Sequence, residues 1–479
     1  MVTDNFDSNV SSQNVLLSTH SLAVQLTVRD QEEVTEAETK IQRLSREEFK
    51  NPISQEVEVQ RYHGPKKPPM PEKETKREVL SLRVLAHQAV QLSRSRDQDL
   101  NFMKQVINDN DKPEFSGYNT DLCRKQGQAS KPATTAIYTP QIDMDPADSD
   151  TMLTAMTEAK QLTNQSGQNE IIFTNDQQFY KVTVQITWVY PDRFANFIPR
   201  LGGMHTLMSF IGCVGNLMAE TGLGDIMKSA FGSVSKMLAG RMFPQNFRAL
   251  RLVVEEILRS ILIKVTSRNA LMIVLENMAS SSPTSKLWLE NLVKPVFIMM
   301  VFVRAEREGE WPLHLWAMQE MLPYFFAAGH HNYTRYGTYY LRSMEKLHGN
   351  VLEKFMKGEH VMRHKNGLWN GIWSDMYIET TFMRYGKGPR GIIRVTMRPE
   401  TLKKWAFSMH ICSGILQDLS DMTDDSRADE ATSHKEEKPS RIRSDAQYRE
   451  NIKKTLEACI DPFQLPGQKG STLQYRRKL

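Results

Sequence analysis

Asp176 occupies a position from which a carboxylate can do chemistry. It follows the apolar run 171–173 and precedes a second run, 178–190, rich in β-branched and aromatic residues, so we expect it at the turn or end of a β-hairpin. A carboxylate held rigidly at such a point can bind Mg²⁺ or Mn²⁺, since these ions favour oxygen ligands. Asn175-Asp176 is also ordinary turn chemistry, so a plain hairpin turn is the alternative interpretation.

Asp375 and Glu379 form an acidic pair. Four residues apart on a helix, they lie on one face, where they can share or flank a divalent cation. The alternative is structural. Ser374 can cap the same helix, and Asp375 in its first turn would then complement the helix dipole.

His205 closes the string Gly-Gly-Met-His at 202–205, after a strand-like apolar run. Glycines permit close backbone approach, and an imidazole at a strand-to-helix junction can bind metal or orient a carboxylate. A histidine that bonds a neighbouring backbone carbonyl is the structural alternative. The glycine pair lacks GxGxxG or GxxxxGK[ST] spacing, so no nucleotide-binding loop is predicted.

Basic and aromatic residues are interleaved around Asp375 and Glu379. Guanidinium and ammonium groups neutralise phosphates and aromatic rings stack on bases, so this composition predicts a nucleic-acid surface. The alternative is a buried tryptophan core with a solvated basic rim. The predicted nucleic-acid-binding residues are Arg363, Lys365, Trp369, Trp373, Arg384, Lys387, Arg390 and Arg394.

The overall composition bounds the class of protein. The chain has 479 residues, 61 Lys+Arg against 56 Asp+Glu, and 40% hydrophobic residues, which suffices for two or three domains and excludes wholesale disorder. A net charge of +5 permits nucleic-acid contact without requiring it. The 4 cysteines are scattered without metal-ligand spacing, so neither a disulfide framework nor a zinc finger is predicted.

Nothing in the sequence predicts contact with a membrane. The longest apolar run, 295–303, is far shorter than the ~20 residues of a membrane-spanning helix. Residues 1–13 lack a charged-then-apolar leader. We therefore expect a soluble intracellular protein, with nucleus and cytoplasm not distinguished.

The elements that must position these side chains fall into four regions. Residues 1–77 are polar and end in a proline-rich linker, so we expect them to be largely disordered. Residues 78–114 carry Leu and Val at helical spacing. Residues 115–420 are predicted to form an α/β core with a helical insertion at about 206–356, and residues 421–479 a charged tail.

One helix of the insertion has an especially regular pattern. Eight apolar residues follow the i, i+3, i+4, i+7 series: Leu250, Val253, Val254, Ile257, Leu258, Ile261, Leu262 and Val265. Its basic residues are interrupted by two glutamates, which predicts a solvated surface. These charged residues are Arg248, Arg251, Glu255, Glu256 and Arg259.

Several strings in this order resemble a family of uncharacterised, highly repeated open reading frames in animal genomes. They are FSGYNTDLCRKQGQASKPATTAIYTPQIDMDPADSDTMLTAM, RLGGMHTLMSFIGCVGNLMAETGL, MLPYFFAAGHHNYTRYGTYYLRSM, GLWNGIWSDMYIETTFMR and HKEEKPSRIRSD. Members look like products of mobile elements, and longer relatives carry a cysteine-rich, tesmin/TSO1-like CXC segment that this sequence lacks. Family copies share Asp-Gln at 176–177, Gly-Gly-Met-His at 202–205 and Asp-x-x-Ile-Glu at 375–379.

By analogy with transposases, the resemblance implies a predominantly helical α/β fold whose ribonuclease-H-like mixed sheet is interrupted by a large helical insertion. The implied catalytic set is Asp176, His205, Asp375 and Glu379, with Asp176 and Glu379 as ligands of Mg²⁺ or Mn²⁺. The implied function is DNA nuclease or strand-transfer chemistry, either retained or lost, and a homo-oligomer is compatible with it. The alternative is a catalytically inactive helical scaffold that binds nucleic acid or protein.

Overall fold

A five-stranded sheet with strand order β3-β2-β1-β4-β5 positions the acidic residues in the computed structural model. Strand β2 is antiparallel to both of its neighbours, while β1 pairs with β4 and β4 with β5 in parallel. The β4–β5 register runs from Ile171↔Phe197 to Asn175↔Leu201, so both strands end at the same edge. The strands are β1 (Val2–Asn9), β2 (Ser18–Arg29), β3 (Thr134–Tyr138), β4 (Ile171–Asn175) and β5 (Phe197–Leu201).

The structure describes most of the chain. The described residues are 1–9, 18–29, 57–71, 82–108, 134–139, 142, 144–243, 245–363, 371–380, 415, 439–458 and 463.

Helices make up most of these residues, as predicted. A second, two-stranded sheet pairs β6 (Met362–Arg363) with β7 (Gly371–Ile372). A π-helical turn, Leu289–Val293, joins two of the helices. In chain order the helices are α1 (Leu82–Ile107), α2 (Ser149–Gln165), α3 (Gln177–Val189), α4 (Gly203–Leu217), α5 (Leu223–Lys228), α6 (Val234–Leu238), α7 (Gln245–Ile257), α8 (Arg259–Leu262), α9 (Arg268–Ser281), α10 (Pro283–Trp288), α11 (Lys294–Glu308), α12 (Trp311–Ala327), α13 (His331–Glu345), α14 (Gly349–Met356), α15 (Ser374–Ile378) and α16 (Pro439–Ala458).

Two large hydrophobic cores hold the described elements together, and small clusters lie beside them. The smaller of the two large cores packs α2 and α3 against β4 through Met152, Phe173, Phe179 and Ile186. The larger core lies among the helices that follow β5 and includes the buried face of α7. The predicted insertion, 206–356, falls within this helical region. Among the described residues, no helix combines the length and the apolarity that a bilayer crossing needs.

The second predicted strand, 178–190, is wrong, because these residues form helix α3. Asp176 caps the helix by accepting a hydrogen bond from the Phe179 backbone N–H at 2.9 Å. Phe179, Tyr180, Thr183 and Val184 are buried at helical spacing. The cap and this buried stripe outweigh the β-propensity of the Val, Thr and Ile residues.

The N-terminal region also differs from the prediction, since residues 2–9 and 18–29 are strands of the sheet rather than disordered. The backbone N–H of Thr174 donates to the Met1 carbonyl at 2.9 Å, next to the β1–β4 pairing. The missed signal is the two-residue alternation of Leu22, Val24, Leu26 and Val28.

The predicted charged tail contains helix α16, which packs on α7. Its Arg449 donates to Glu256 at 3.0 Å and also pairs with Glu255. The prediction of a solvated surface on α7 is therefore wrong for Arg251, Glu255 and Glu256, all of which are buried. The covering helix lies some two hundred positions further along the chain, beyond the reach of a local pattern.

Candidate functional site

The carboxyl ends of β4 and β5 bring together residues that the sequence singled out. Asp176 follows the last residue of β4, and Gly202 follows the last residue of β5. The Gly202 N–H donates to the Asn175 carbonyl at 2.7 Å, which fixes the two strand ends side by side. In sheets of parallel strands this edge is where ligands usually bind.

Asp375 reaches this edge from helix α15. Its carboxylate accepts hydrogen bonds from the backbone N–H groups of Met204, at 3.3 Å, and His205, at 3.1 Å, in the first turn of α4. The positive end of the α4 dipole adds to this stabilisation of a negative charge.

The glycine pair at 202–203 makes this approach possible. A Cβ on Gly202 would lie 2.5 Å from Oδ2 of Asp375 and 3.2 Å from the Asn175 carbonyl oxygen. A Cβ on Gly203 would overlap the indole ring of Trp373. Both positions therefore require glycine because α15 and its preceding residue pack directly against the backbone.

His205 and Asp375 form a dyad. Nδ1 of His205 lies 3.1 Å from Oδ2 of Asp375, and the Asp375 side chain is almost fully buried. Burial alone would raise the pKa of Asp375, but the hydrogen bond and charge of His205, together with the two backbone N–H groups, hold it below its usual value. Asp375 is therefore a buried carboxylate that stays ionised.

Asp176 has the opposite electrostatic balance. Burial raises its pKa above the usual value, and the negative charge of Asp375 raises it further. The Phe179 N–H and the charge of His205 lower the pKa without cancelling the rise. Asp176 is half-buried, so its carboxylate is partly desolvated, which raises its pKa, and it still reaches an opening at the surface.

That opening is a cavity of about 340 Å³ lined by both Asp176 and His205. Tyr333 lines it as well, and burial raises the pKa of this phenol, with Asp176 and Asp375 adding to the rise. A larger cavity of about 790 Å³ lies at the opposite end of β5 and is lined by none of the predicted catalytic residues. The cavity beside Asp176 is therefore the one that belongs to the acidic site.

Three of the four predicted catalytic residues, Asp176, His205 and Asp375, thus meet at one edge. Glu379 does not line the cavity and lies half-buried, one helical turn after Asp375. Within the described part of the chain, no three His, Cys, Asp or Glu side chains are grouped closely enough to hold a metal ion. Predicted ligation of a cation by Asp176 and Glu379 stays a prediction.

The predicted nucleic-acid residues divide into two sets. Arg363 is buried, and its guanidinium donates to the Glu308 and Gly358 carbonyls at 3.3 Å each, which gives it a structural role. Trp373 is 2% exposed and packs against Phe302, so it belongs to the core. The others lie outside the described residues: Lys365, Trp369, Arg384, Lys387, Arg390 and Arg394.

Sequence reasoning missed two residues that line the cavity, Arg241 and Tyr333. Tyr333 lies in the string MLPYFFAAGHHNYTRYGTYYLRSM, which carried part of the family resemblance and was the available signal. Arg241 lies in the short connection between α6 and α7, where no spacing marks it.

A family model described as Domain of unknown function (DUF8702) matches residues 114–272 and 266–471, and the chain belongs to this family. It is an uncharacterised family, as the resemblance indicated. Neither a curated protein nor a solved structure matches the chain.

Proposed function

We propose that this chain is a mobile-element-derived protein with a ribonuclease-H-like core, and that it cleaves or joins DNA with the help of a divalent cation. The sheet supports the proposal. Its order is β3-β2-β1-β4-β5, and β2 alone runs against the other four strands, which is the arrangement expected of a ribonuclease-H-like core.

The position of the helical region supports the same proposal. Helices α4 to α14 separate β5 from α15, and α15 nevertheless contacts β1, β4 and α4. A long helical insertion before the last acidic helix is the layout of transposases that interrupt this fold.

The observation that carries the proposal is the meeting of Asp176 and Asp375 across this insertion. A Cβ on Gly202 would lie 2.5 Å from Oδ2 of Asp375 and 3.2 Å from the carbonyl oxygen of Asn175, the residue before Asp176. The negative charge of Asp375 is close enough to raise the pKa of Asp176. Two carboxylates in a partly desolvated site repel each other, and a cation between them would relieve the repulsion. Both oxygens of Asp375 accept hydrogen bonds from α4, yet a carboxylate offers about four lone-pair positions and can still bind a cation.

Asp176 and Asp375 are the residues that would hold Mg²⁺ or Mn²⁺, because these ions prefer oxygen ligands. His205 orients Asp375 and holds its charge in place.

In the proposed reaction a bound cation would stabilise charge on the attacking and leaving oxygens of a phosphodiester. The chain itself supplies positioning. Asp375 is fixed by the first turn of α4, and Asp176 is fixed as the cap of α3, so neither carboxylate needs to reorganise when substrate binds.

The test is cleavage or joining of labelled DNA by the purified chain with Mg²⁺, with Mn²⁺ and with chelator. We expect activity only with a cation. Asp176→Asn and Asp375→Asn should each lower it by about 10²-fold or more, the scale on which loss of one preorganised charged group acts. Asp225→Asn is the matched control, because Asp225 is exposed and does not line the cavity. Full activity in Asp176→Asn would contradict the assignment.

A non-catalytic scaffold that binds nucleic acid or protein is the second candidate. It is favoured by the absence, among the described side chains, of a three-residue metal-binding group. On this alternative, DNA binding should weaken steeply with salt and persist in chelator, and no condition should yield cleaved product. Binding that does not respond to salt would indicate a protein partner.

A further inference from the structure

The cavity beside Asp176 has three walls of different chemistry. One face of α4 forms the first wall through His205, Met208, Ser209 and Gly212, which are spaced at i, i+3, i+4 and i+7. The connection 239–241, which lies against α4, forms the second wall. The ends of α3 and α13 form the third, so the carboxylate of Asp176 lies at one side of the cavity and His330 at another.

Arg241 is fixed against this cavity by glycines. Gly240 adopts φ +77°, and a Cβ there would overlap the Met208 carbonyl of α4. Gly215 lies under the Leu238 carbonyl in the same way. Met242, the residue after Arg241, also has a positive φ of 70°, which is rare for a non-glycine residue. The connection therefore lies directly on the small-residue face of α4.

The charges that line the cavity are suited to a phosphate ester. Arg241 is the one Arg or Lys among its described lining residues and lies exposed at its wall. Helix α13 begins at the cavity, and its N-cap residue, His330, makes no side-chain capping bond, so the positive end of the helix dipole lacks that compensation. A phosphate ester could therefore bind with its phosphate at the basic side of the cavity, next to Arg241, and its reacting oxygen at the acidic side, next to Asp176.

The size of the cavity restricts what can enter. At about 340 Å³ it lies at the lower end of the range of ligand pockets, about 300–1,000 Å³, and has room for one nucleotide unit. A base pair is larger than one nucleotide unit and does not fit into this volume. A nucleotide that enters must be unpaired, either in a single strand or turned out of a duplex at an energetic cost.

We infer that this cavity receives one unpaired nucleotide, with Arg241 contacting its phosphate. The inference rests on the proposed function, because it names the form of DNA that the same site takes. Arg241 acts here as a binding and positioning residue rather than as a catalytic one.

The first experiment measures binding without catalysis. Thymidine 5′-monophosphate and thymidine are titrated by calorimetry into the full chain in chelator. We expect the monophosphate to bind at least about tenfold more tightly, because a charge-assisted contact to phosphate is added. Arg241→Gln should lose this difference, and Arg335→Gln, an exposed arginine of α13 outside the cavity lining, should keep it. Equal binding of both compounds by the wild type, or an unchanged preference in Arg241→Gln, would overturn the inference.

The second experiment separates this inference from the proposed function. Fully paired and single-stranded oligonucleotides of one sequence are incubated with the chain and Mn²⁺. Preferential cleavage of the single strand that falls in Arg241→Gln supports both. Cation-dependent cleavage that Arg241→Gln leaves intact overturns the role of Arg241 and keeps the nuclease. No cleavage, with phosphate preference still dependent on Arg241, supports the cavity assignment and removes the nuclease.

Discussion

Two acidic clusters of this chain differ in how their carboxylates are paired. Where α7 meets α16, Glu255 and Glu256 contact three arginines, and every carboxylate oxygen has a guanidinium partner. At the ends of β4 and β5, Asp176 and Asp375 share one histidine, and the site opens to a cavity. Similar side chains are therefore neutralised in one place and left with excess negative charge in the other.

The difference distinguishes a structural ion-pair cluster, at Glu255 and Glu256, from a candidate binding site, at Asp176 and Asp375. Buried charges that are fully paired hold two helices in a defined arrangement and have little capacity for a further partner. A carboxylate that is only partly paired, as Asp176 is, has a raised pKa beside the charge of Asp375 and attracts a cation, and such groups cluster where proteins bind or react. The predictions below test whether the two clusters differ in this way, beginning with the largest effect.

Glu255→Gln should produce the largest loss of stability. Glu255 is buried and contacts Arg251 within α7 and Arg449 of α16. The substitution keeps the volume but leaves both guanidinium groups with less compensation, and removing one partner of a buried ion pair costs about 3–5 kcal/mol. Urea unfolding measures the change. Asp225→Asn breaks an exposed pair with Lys228 and should stay within about 0.5 kcal/mol. Equal stability of the two variants would mean that these ion pairs do not stabilise the packing of α16 on α7.

Asp375→Asn should cost less, about 1.5–3 kcal/mol, the range for hydrogen bonds to a charged group. The Asn side chain replaces one accepting oxygen with an NH₂ group. That group would face the N–H of Met204 or of His205, and two donors cannot form a hydrogen bond. The loss also depends on pH. Since the folded pKa of Asp375 lies below the usual 3.8, its contribution is present above that value and disappears as the pH falls through the folded pKa.

Unfolding curves of wild type and Asp375→Asn should therefore differ at neutral pH and converge in strong acid. Curves that remain equally separated down to the lowest pH would show that the ionised carboxylate is not what stabilises this edge.

Gly202→Ala should destabilise the same edge by steric overlap, by about 1–3 kcal/mol as for other overpacked sites. The new methyl group would meet Asp375 and the backbone of Asn175, which cannot both retreat. Gly224→Ala is the control, because a Cβ at this helical position meets no atom within 4 Å and should be neutral or slightly stabilising. If both variants unfold at the same urea concentration, α15 does not pack on Gly202 in solution.

Sequence patterns predicted the helical region well, because its signals are local. The eight residues of the series between Leu250 and Val265 begin on α7, continue through the short helix α8 and end just beyond it, and all eight are buried. The same kind of signal failed at 178–190, where β-branched residues indicated a strand. There the deciding interactions are the cap at Asp176 and burial of one helical face, and the cap residue was assigned to a hairpin turn.

The composition of the site was partly predictable, and its assembly was not. The strings Gly-Gly-Met-His and Asp-x-x-Ile-Glu indicated His205 and Asp375 one at a time. Their contact depends on the packing of α15 against α4 over a separation of 170 positions. The position of Arg241 at the cavity and the ion pairs of Arg449 with α7 were unpredictable for the same reason. Each depends on elements that only the tertiary fold brings together.

The smallest expected effect on stability comes from Asp176→Asn, and it is the sharpest test of the comparison. Asn caps a helix as well as Asp, so the bond to Phe179 can be kept. The folded pKa of Asp176 is raised, so its ionised form costs stability above that pKa, and this cost vanishes as the pH falls below 3.8. Asp176→Asn should thus be as stable as the wild type, or slightly more stable, at pH 7, with the difference fading in acid, while cation-dependent cleavage is lost. A carboxylate retained for binding is one that the fold itself does not need. If Asp176→Asn instead loses as much stability as Glu255→Gln, the role of Asp176 is structural, like that of Glu255.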